Sequence, residues 1–139
     1  MKRREPVSAI MTQNVQTVNL NDELSDVVDT LKKHKIRHIP VVDGKEVAGI
    51  ISRTDINRLT FGSLFENQEG ADEAVLTMLS VSQVMTARPR LVSIDATIKD
   101  VAEIFAQEEF HALPVVDDNS ALVGIVTTTD IIKYLLEQY

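Results

Sequence analysis

The chain has 139 residues and a net charge of −7 from 14 basic and 21 acidic side chains, with 44% hydrophobic and 25% charged residues. That composition belongs to a folded globular chain rather than a disordered one, and its acidic balance argues against a partner held through a nucleic-acid backbone. With no cysteine, disulfides, thiolate metal sites and thiol nucleophiles are all excluded, and no apolar run reaches the ~18 residues of a membrane-spanning helix.

The opening Met1-Lys2-Arg3-Arg4-Glu5-Pro6 is basic with no apolar stretch behind it. No secretory signal is therefore expected, and a cytoplasmic location is. Val7-Ser8 and Met11-Thr12 come next, then an extended piece over residues 15–18. Leu24, Val27, Val28 and Leu31 recur at helical spacing and predict an amphipathic helix, with Asn21, Asp22 and Glu23 as its cap and first-turn acids. The β-branched run 38–42 predicts a strand, Asp43-Gly44 a turn, and residues 47–51 a second strand. A junction containing Ser52 and Thr54 then opens another helix. Residues 59–80 read as a connecting insertion with Phe61, Phe65, a polar loop over 66–70 and a short apolar helix around 74–79.

From residue 81 the order recurs. At an offset of 74, Val7-Ser8 and Met11-Thr12 fall on Val81-Ser82 and Met85-Thr86, and Pro40-Val41-Val42-Asp43 falls on Pro114-Val115-Val116-Asp117. One extra residue in a turn moves the offset to 75, where Gly49-Ile50 meets Gly124-Ile125 and Thr54-Asp55-Ile56 meets Thr129-Asp130-Ile131. The copies agree at 16 of 49 aligned positions. The second copy supplies an extended piece over 91–94 and a helix on Ile98, Val101, Ala102 and Phe105, with Asp95 as its cap. Strands over 112–116 and 122–126 follow, then a last helix with Ile131, Ile132, Leu135 and Leu136 expected to face inward. The fold class is thus mixed α/β (α+β), in two tandem β-α-β-β-α repeats over 7–58 and 81–136. A copy of ~50 residues does not bury its sheet alone, so the small, helix-flanked sheets are expected to pack about a pseudo-twofold axis.

No phosphate-binding or dinucleotide glycine loop, zinc helix motif or nucleophile elbow is present. His34 and His38 are four apart, but Pro40 stops a helix from carrying both, so they are not expected to form a metal pair. No carboxylate pair stands out for acid–base work, and neither an enzyme nor a metal site is expected. The repeated chemistry lies in the junctions Gly49–Asp55 and Gly124–Asp130. A glycine admits close approach to the backbone, hydroxyls sit at the strand end, and a helix start favours an anion. Asp55 and Asp130 would repel a phosphate but suit the paired hydroxyls of a ribose. The alternative at this point is that Ser52, Thr54, Thr127 and Thr129 are helix caps and the aspartates first-turn acids.

With these marks in register, the chain resembles a tandem pair of CBS domains, a Bateman module, over nearly all its length. The resemblance rests on Met11-Thr12, on Arg37-His38-Ile39-Pro40-Val41-Val42-Asp43 and on the Gly49–Asp55 junction, each repeated. It implies two clefts between the sheets, adenosine-containing ligands (AMP, ADP, ATP, S-adenosylmethionine or NAD) and no required cofactor. By the same resemblance, Asp55 and Asp130 take ribose, while Ser52, Thr54, Thr127 and Thr129 meet ribose or phosphate. Thr17 lines the adenine end where its counterpart is Leu91, and Ile36, Ile39, Phe110 and Leu113, in the segments leading into Pro40 and Pro114, wall the base. Arg37 and His38 match phosphate-reaching positions in the first copy; in the second His111 matches one and Ala112 neither. Arg53, expected to face the cleft as a ligand-binding charge, is replaced by Thr128 in the second copy. The first junction is therefore expected to take the more phosphorylated ligand, and the second to bind more weakly, take fewer phosphates or stay empty. The family implies a regulatory module that dimerises through its helices and usually controls an attached enzyme, transporter or channel. With no such domain in this sequence, its output is expected in trans on a protein partner or through oligomerisation; the alternative is a ligand-free dimerisation or scaffold module.

Overall fold

Strands β1 (Val18–Asn19), β2 (His38–Asp43), β3 (Glu46–Ser52) and β4 (Thr86–Ala87) lie in that order in one sheet. The computed structural model of the chain describes residues 4–59, 74 and 76–139. Phe61, Phe65 and the 66–70 loop of the insertion lie outside these; residues 76–78 are helical, as the apolar run there predicts. β1 runs parallel to β2, with Val18 opposite Val41, and parallel neighbours need a crossover. Helix α1 (Leu24–Lys33) supplies it, burying Leu24, Val27 and Leu31 against the sheet. β2 and β3 form a hairpin in which Asp43 faces Glu46. Its two loop residues are Gly44 and Lys45, and Gly44 takes the left-handed conformation (φ 66°) that such a turn needs. Helix α2 (Arg53–Leu59) leaves the end of β3, and the short α3 (Val81–Val84) leads into β4.

The second sheet repeats the plan with β5 (Val92–Ser93), β6 (Ala112–Val116) and β7 (Leu122–Thr127). Helix α4 (Ile98–Gln107) crosses from β5 to β6, and α5 (Thr128–Glu137) leaves β7. Its hairpin turn is the longer one. Asp117 Oδ1 accepts the amides of Asn119 (2.9 Å) and Ala121 (3.0 Å), and Ser120 sits at φ 64°. That extra residue shifts the repeat offset. The same irregularity interrupts both ladders, between Val41 and Val42 and between Val115 and Val116.

Two contact units divide the chain: Gln16–Arg88, and the chain through Val15 together with Pro89–Tyr139. The units do not follow the order of the repeats, because each repeat lends its leading segment to the other's body. Val7 is fully buried in the core of Val92, Val101, Leu113, Val126 and Tyr134, whereas Val81 completes the core of Leu24, Val27, Ile39 and Ile51. Thr12 exchanges two backbone hydrogen bonds with Ile125 on β7 (2.9 and 3.0 Å), as Thr86 pairs with Ile50 on β3. Pro6 bridges Thr97 just as Ser80 bridges Glu23. Each fully buried valine contributes about 1.5–3 kcal/mol relative to exposure, so these leaders are part of the cores they join.

Three expectations change. The first strand starts later than the 15–18 piece, at Val18, which leaves Thr17 just before it. The cap of α4 is Thr97 rather than Asp95, because the Thr97 hydroxyl and the Asp100 carboxylate satisfy each other's amides. In α5 only Ile131 and Tyr134 face the core. Ile132, Leu135 and Leu136 are exposed at 57%, 40% and 67%. Tyr134 can turn inward because its hydroxyl donates to Glu5 Oε2 at 2.6 Å. That bond, then desolvation and the charges of Glu5 and Glu137, hold the phenol above its ordinary range.

Candidate functional site

Each junction is built where a hairpin strand turns into a helix. In the first, Ser52 is the cross-strand partner of His38, and the next amide, that of Arg53, donates to Arg37 O at 2.7 Å. The start of β2 is thereby fastened beside the start of α2. The second junction copies this, with Thr127 opposite Ala112 and the Thr128 amide on His111 O at 3.0 Å.

Both aspartates sit in reciprocal capping boxes. Asp55 Oδ2 accepts the Ser52 amide (2.8 Å), and the Asp55 amide donates to Ser52 Oγ (3.0 Å). Asp130 Oδ2 accepts from the Thr127 amide (2.8 Å), and the Asp130 amide donates to Thr127 Oγ1 (3.2 Å). The capping alternative is therefore realised in both copies. It does not consume the group: a carboxylate offers about four lone-pair sites on two oxygens, and the box engages Oδ2. The side chain is half-buried and held in one orientation in each copy.

The remaining candidate residues separate by burial. Ile39, Pro40, Leu113 and Pro114 are buried, Ile39 and Leu113 completely, and Ala112 is buried as well. Ile36 and His38 are half-buried, and Thr17, Arg37, Thr54, Phe110, His111 and Thr129 are exposed. In each copy the backbone thus brings together a strand start and a boxed aspartate, with Ile36, Arg37 and His38 at the first and Phe110 and His111 at the second. Arg53 is engaged elsewhere: its Nη2 donates to Ile36 O (3.1 Å) and Leu31 O (3.3 Å) at the end of α1. Nothing in the residue pattern signals that reach, because it depends on the length of one side chain folded back across the strand. Among the described residues no group of three or more potential metal ligands occurs, and no helix is long and apolar enough to cross a membrane.

The junction glycines also have a definite neighbour. A Cβ on Gly49 would collide with Met85 Sδ and come within 2.9 Å of Thr86 O, and one on Gly124 would come within 2.5 Å of Met11 Sδ. The group that approaches each glycine closely is the Met-Thr segment of the other repeat. Two marks that recur together in the sequence are thus two halves of one contact.

The CBS domain family matches residues 7–61 and 81–137. The chain belongs to the CBS domain family. A CBS domain-containing protein of Dictyostelium discoideum is 30% identical over 94% of this chain and 91% of its own length. Among solved structures, CBSX2 in complex with AMP aligns at a TM-score of 0.78 with 27% identity, over 96% of this chain and 98% of that one. The CBS domain pair of MJ0100 in complex with 5′-methylthioadenosine and S-adenosylmethionine aligns at 0.77, also with 27% identity, over 96% and 98%. The chain spans less than half the length of some other curated relatives, 47% of one and 44% of another from Methanocaldococcus jannaschii. Two small sheets flanked by helices are the CBS-pair architecture, as the duplication implies.

Proposed function

We propose that this CBS pair is a non-catalytic, cytoplasmic regulatory module that binds adenosine-containing ligands at its strand–helix junctions and acts in trans on a protein partner. The observation that carries the reading is the duplicated boxed aspartate, Asp55 and Asp130, each fixed beside the start of a β-strand. Two adjacent ribose hydroxyls are matched donors for a carboxylate whose orientation is already fixed. The complexes of CBSX2 with AMP and of MJ0100 with S-adenosylmethionine support the ligand class. Within it, Arg37 and His38 favour phosphate at the first junction; the second, with Ala112 in place of His38, takes fewer phosphates or binds more weakly. The ligand acts by its differential affinity for two arrangements of the protein.

Thermal unfolding with AMP, ADP, ATP, S-adenosylmethionine and NAD, each at millimolar concentration, tests this. A ligand at ~100 times its dissociation constant adds about 2.7 kcal/mol, several degrees for a chain of this size. The shift is expected to fall in Asp55→Ala or Asp130→Ala. No shift with any of them would move the function to the second reading, a ligand-free dimerisation scaffold. The capping boxes, which account for both aspartates as structure, and the exposed Ile132, Leu135 and Leu136 favour that reading.

A further inference from the structure

We infer that Arg53 is a positioning residue for the first junction: it holds the Ile36–Arg37–His38 backbone in place and does not itself meet the ligand. This rests on the nucleotide reading above. Arg53 grips that segment at successive points. Its amide donates to Arg37 O (2.7 Å), and its Nη2 donates to Ile36 O (3.1 Å) and, beyond it, to Leu31 O (3.3 Å). Leu31 O also accepts the Ile36 amide at 3.2 Å, and Lys35 between them is held at φ 54°. This is a helix-ending motif in which the carbonyls of the last turn need donors. A guanidinium suits that place, since it carries positive charge to the negative end of the helix and several donors in a fixed plane.

The consequence is local preorganisation. Arg37 and His38 are the side chains expected to meet phosphate, and their backbone is fastened on one side by the β2–β3 ladder and on the other by Arg53. In the second copy the equivalent residue is Thr128. It keeps the main-chain bond to His111 O (3.0 Å), but its side chain makes no hydrogen bond among the described residues. Helix α4 ends instead with Glu108 in extended conformation, ion-paired to Arg90 at 3.6 Å. The segment of Phe110 and His111 is thus held without the side-chain clasp and has more freedom to lose when a ligand binds. The two junctions differ in rigidity as well as in charge.

Titrations of the full chain with AMP and with adenosine, followed at the amide resonances of His38 and Ser52, test the inference. Arg53→Thr is expected to weaken AMP at the first junction roughly tenfold, with partial recovery in Arg53→Lys, whose ammonium still reaches one carbonyl. Adenosine, which meets Ile36 but has no phosphate for Arg37 and His38 to hold, is expected to lose less than AMP. Because Arg53 acts through its neighbours, adding Arg53→Thr to an Arg37→Ala/His38→Ala chain is expected to change AMP binding no further. A loss that persists in that background means that Arg53 contacts the ligand directly, and overturns the inference. So does an unchanged AMP affinity in both Arg53→Thr and Arg53→Lys while the parent chain binds AMP. If the parent chain shows no binding at this junction, the nucleotide reading itself falls, and the inference with it.

Discussion

Gly49 and Gly124 hold equivalent places, yet the atoms that face them differ in one respect that stability measurements resolve. Around Gly124 the three nearest atoms belong to the Met11 side chain, Sδ at 2.5 Å, Cγ at 3.0 Å and Cε at 3.1 Å from a built Cβ. A methionine has three rotatable bonds and gives way. Around Gly49 one of the crowding atoms is the backbone oxygen of Thr86 at 2.9 Å, on a strand paired with β3 itself. Overpacking costs about 1–3 kcal/mol. Gly49→Ala is expected in the upper part of that range and Gly124→Ala at or below its lower end. Urea midpoints of the two variants check this, and equal or reversed losses would show that the β4 backbone yields. From the sequence, each glycine marks a place where something approaches closely, and that much was legible. What approaches was not, since a missing side chain records a vacancy and not its occupant.

Helices α1 to α5 open on the same device: Glu23 with Asp26, Ser52 with Asp55, Ser80 with Gln83, Thr97 with Asp100 and Thr127 with Asp130. The box on α4 has a pH signature. The Thr97 amide, then the Thr97 hydroxyl and the charge of Lys99, outweigh desolvation and hold the Asp100 carboxyl below its ordinary range. A carboxyl depressed in the folded state stabilises fully above its unfolded value, near pH 4, and loses that contribution as pH falls through its lower folded value. The acid limb of the stability curve is expected to flatten in Asp100→Asn, with the variant closer to the parent at pH 3 than at pH 6. A constant gap between the two curves would remove the box from the acid response. Helices and strands were legible at this scale because spacing of three and four, and β-branched runs, report periodicity directly. In α5 periodicity was insufficient. Ile131, Ile132, Leu135 and Leu136 span more of the helix than one core covers, and the inward face was decided by Tyr134, whose hydroxyl finds Glu5 far away in sequence.

For the whole molecule, the exposed row of Ile132, Leu135, Leu136 and Tyr139 on the last helix and its end has a predicted use as the contact of a homodimer. Light scattering at tens of micromolar is expected to give twice the chain mass. Leu136→Lys is expected to restore the monomer without unfolding it, because Leu136 is 67% exposed. A monomeric mass for the unsubstituted chain would overturn the dimer. The duplication was plain from sequence identity, but the exchange of leading segments was not. Repeats at a fixed offset report which residues are equivalent, and Val7 and Val81 remain equivalent whichever core they enter.

That exchange has a consequence for the order in which the molecule is made. The body at Gln16–Arg88 carries its own borrowed strand, so every piece it needs has been synthesised once Arg88 has left the ribosome. Residues 5–12 are made much earlier, but their receiving surface runs from Val92 through Tyr134. Val7, Ile10 and Met11 therefore meet that surface only after residues 92–134 have been made. Contacts between segments this far apart in sequence are also slow to close during refolding. In concentrated refolding, a waiting leader is open to capture by the completed β7 edge of a neighbouring chain, which makes this short segment the place where two copies are most prone to interlock.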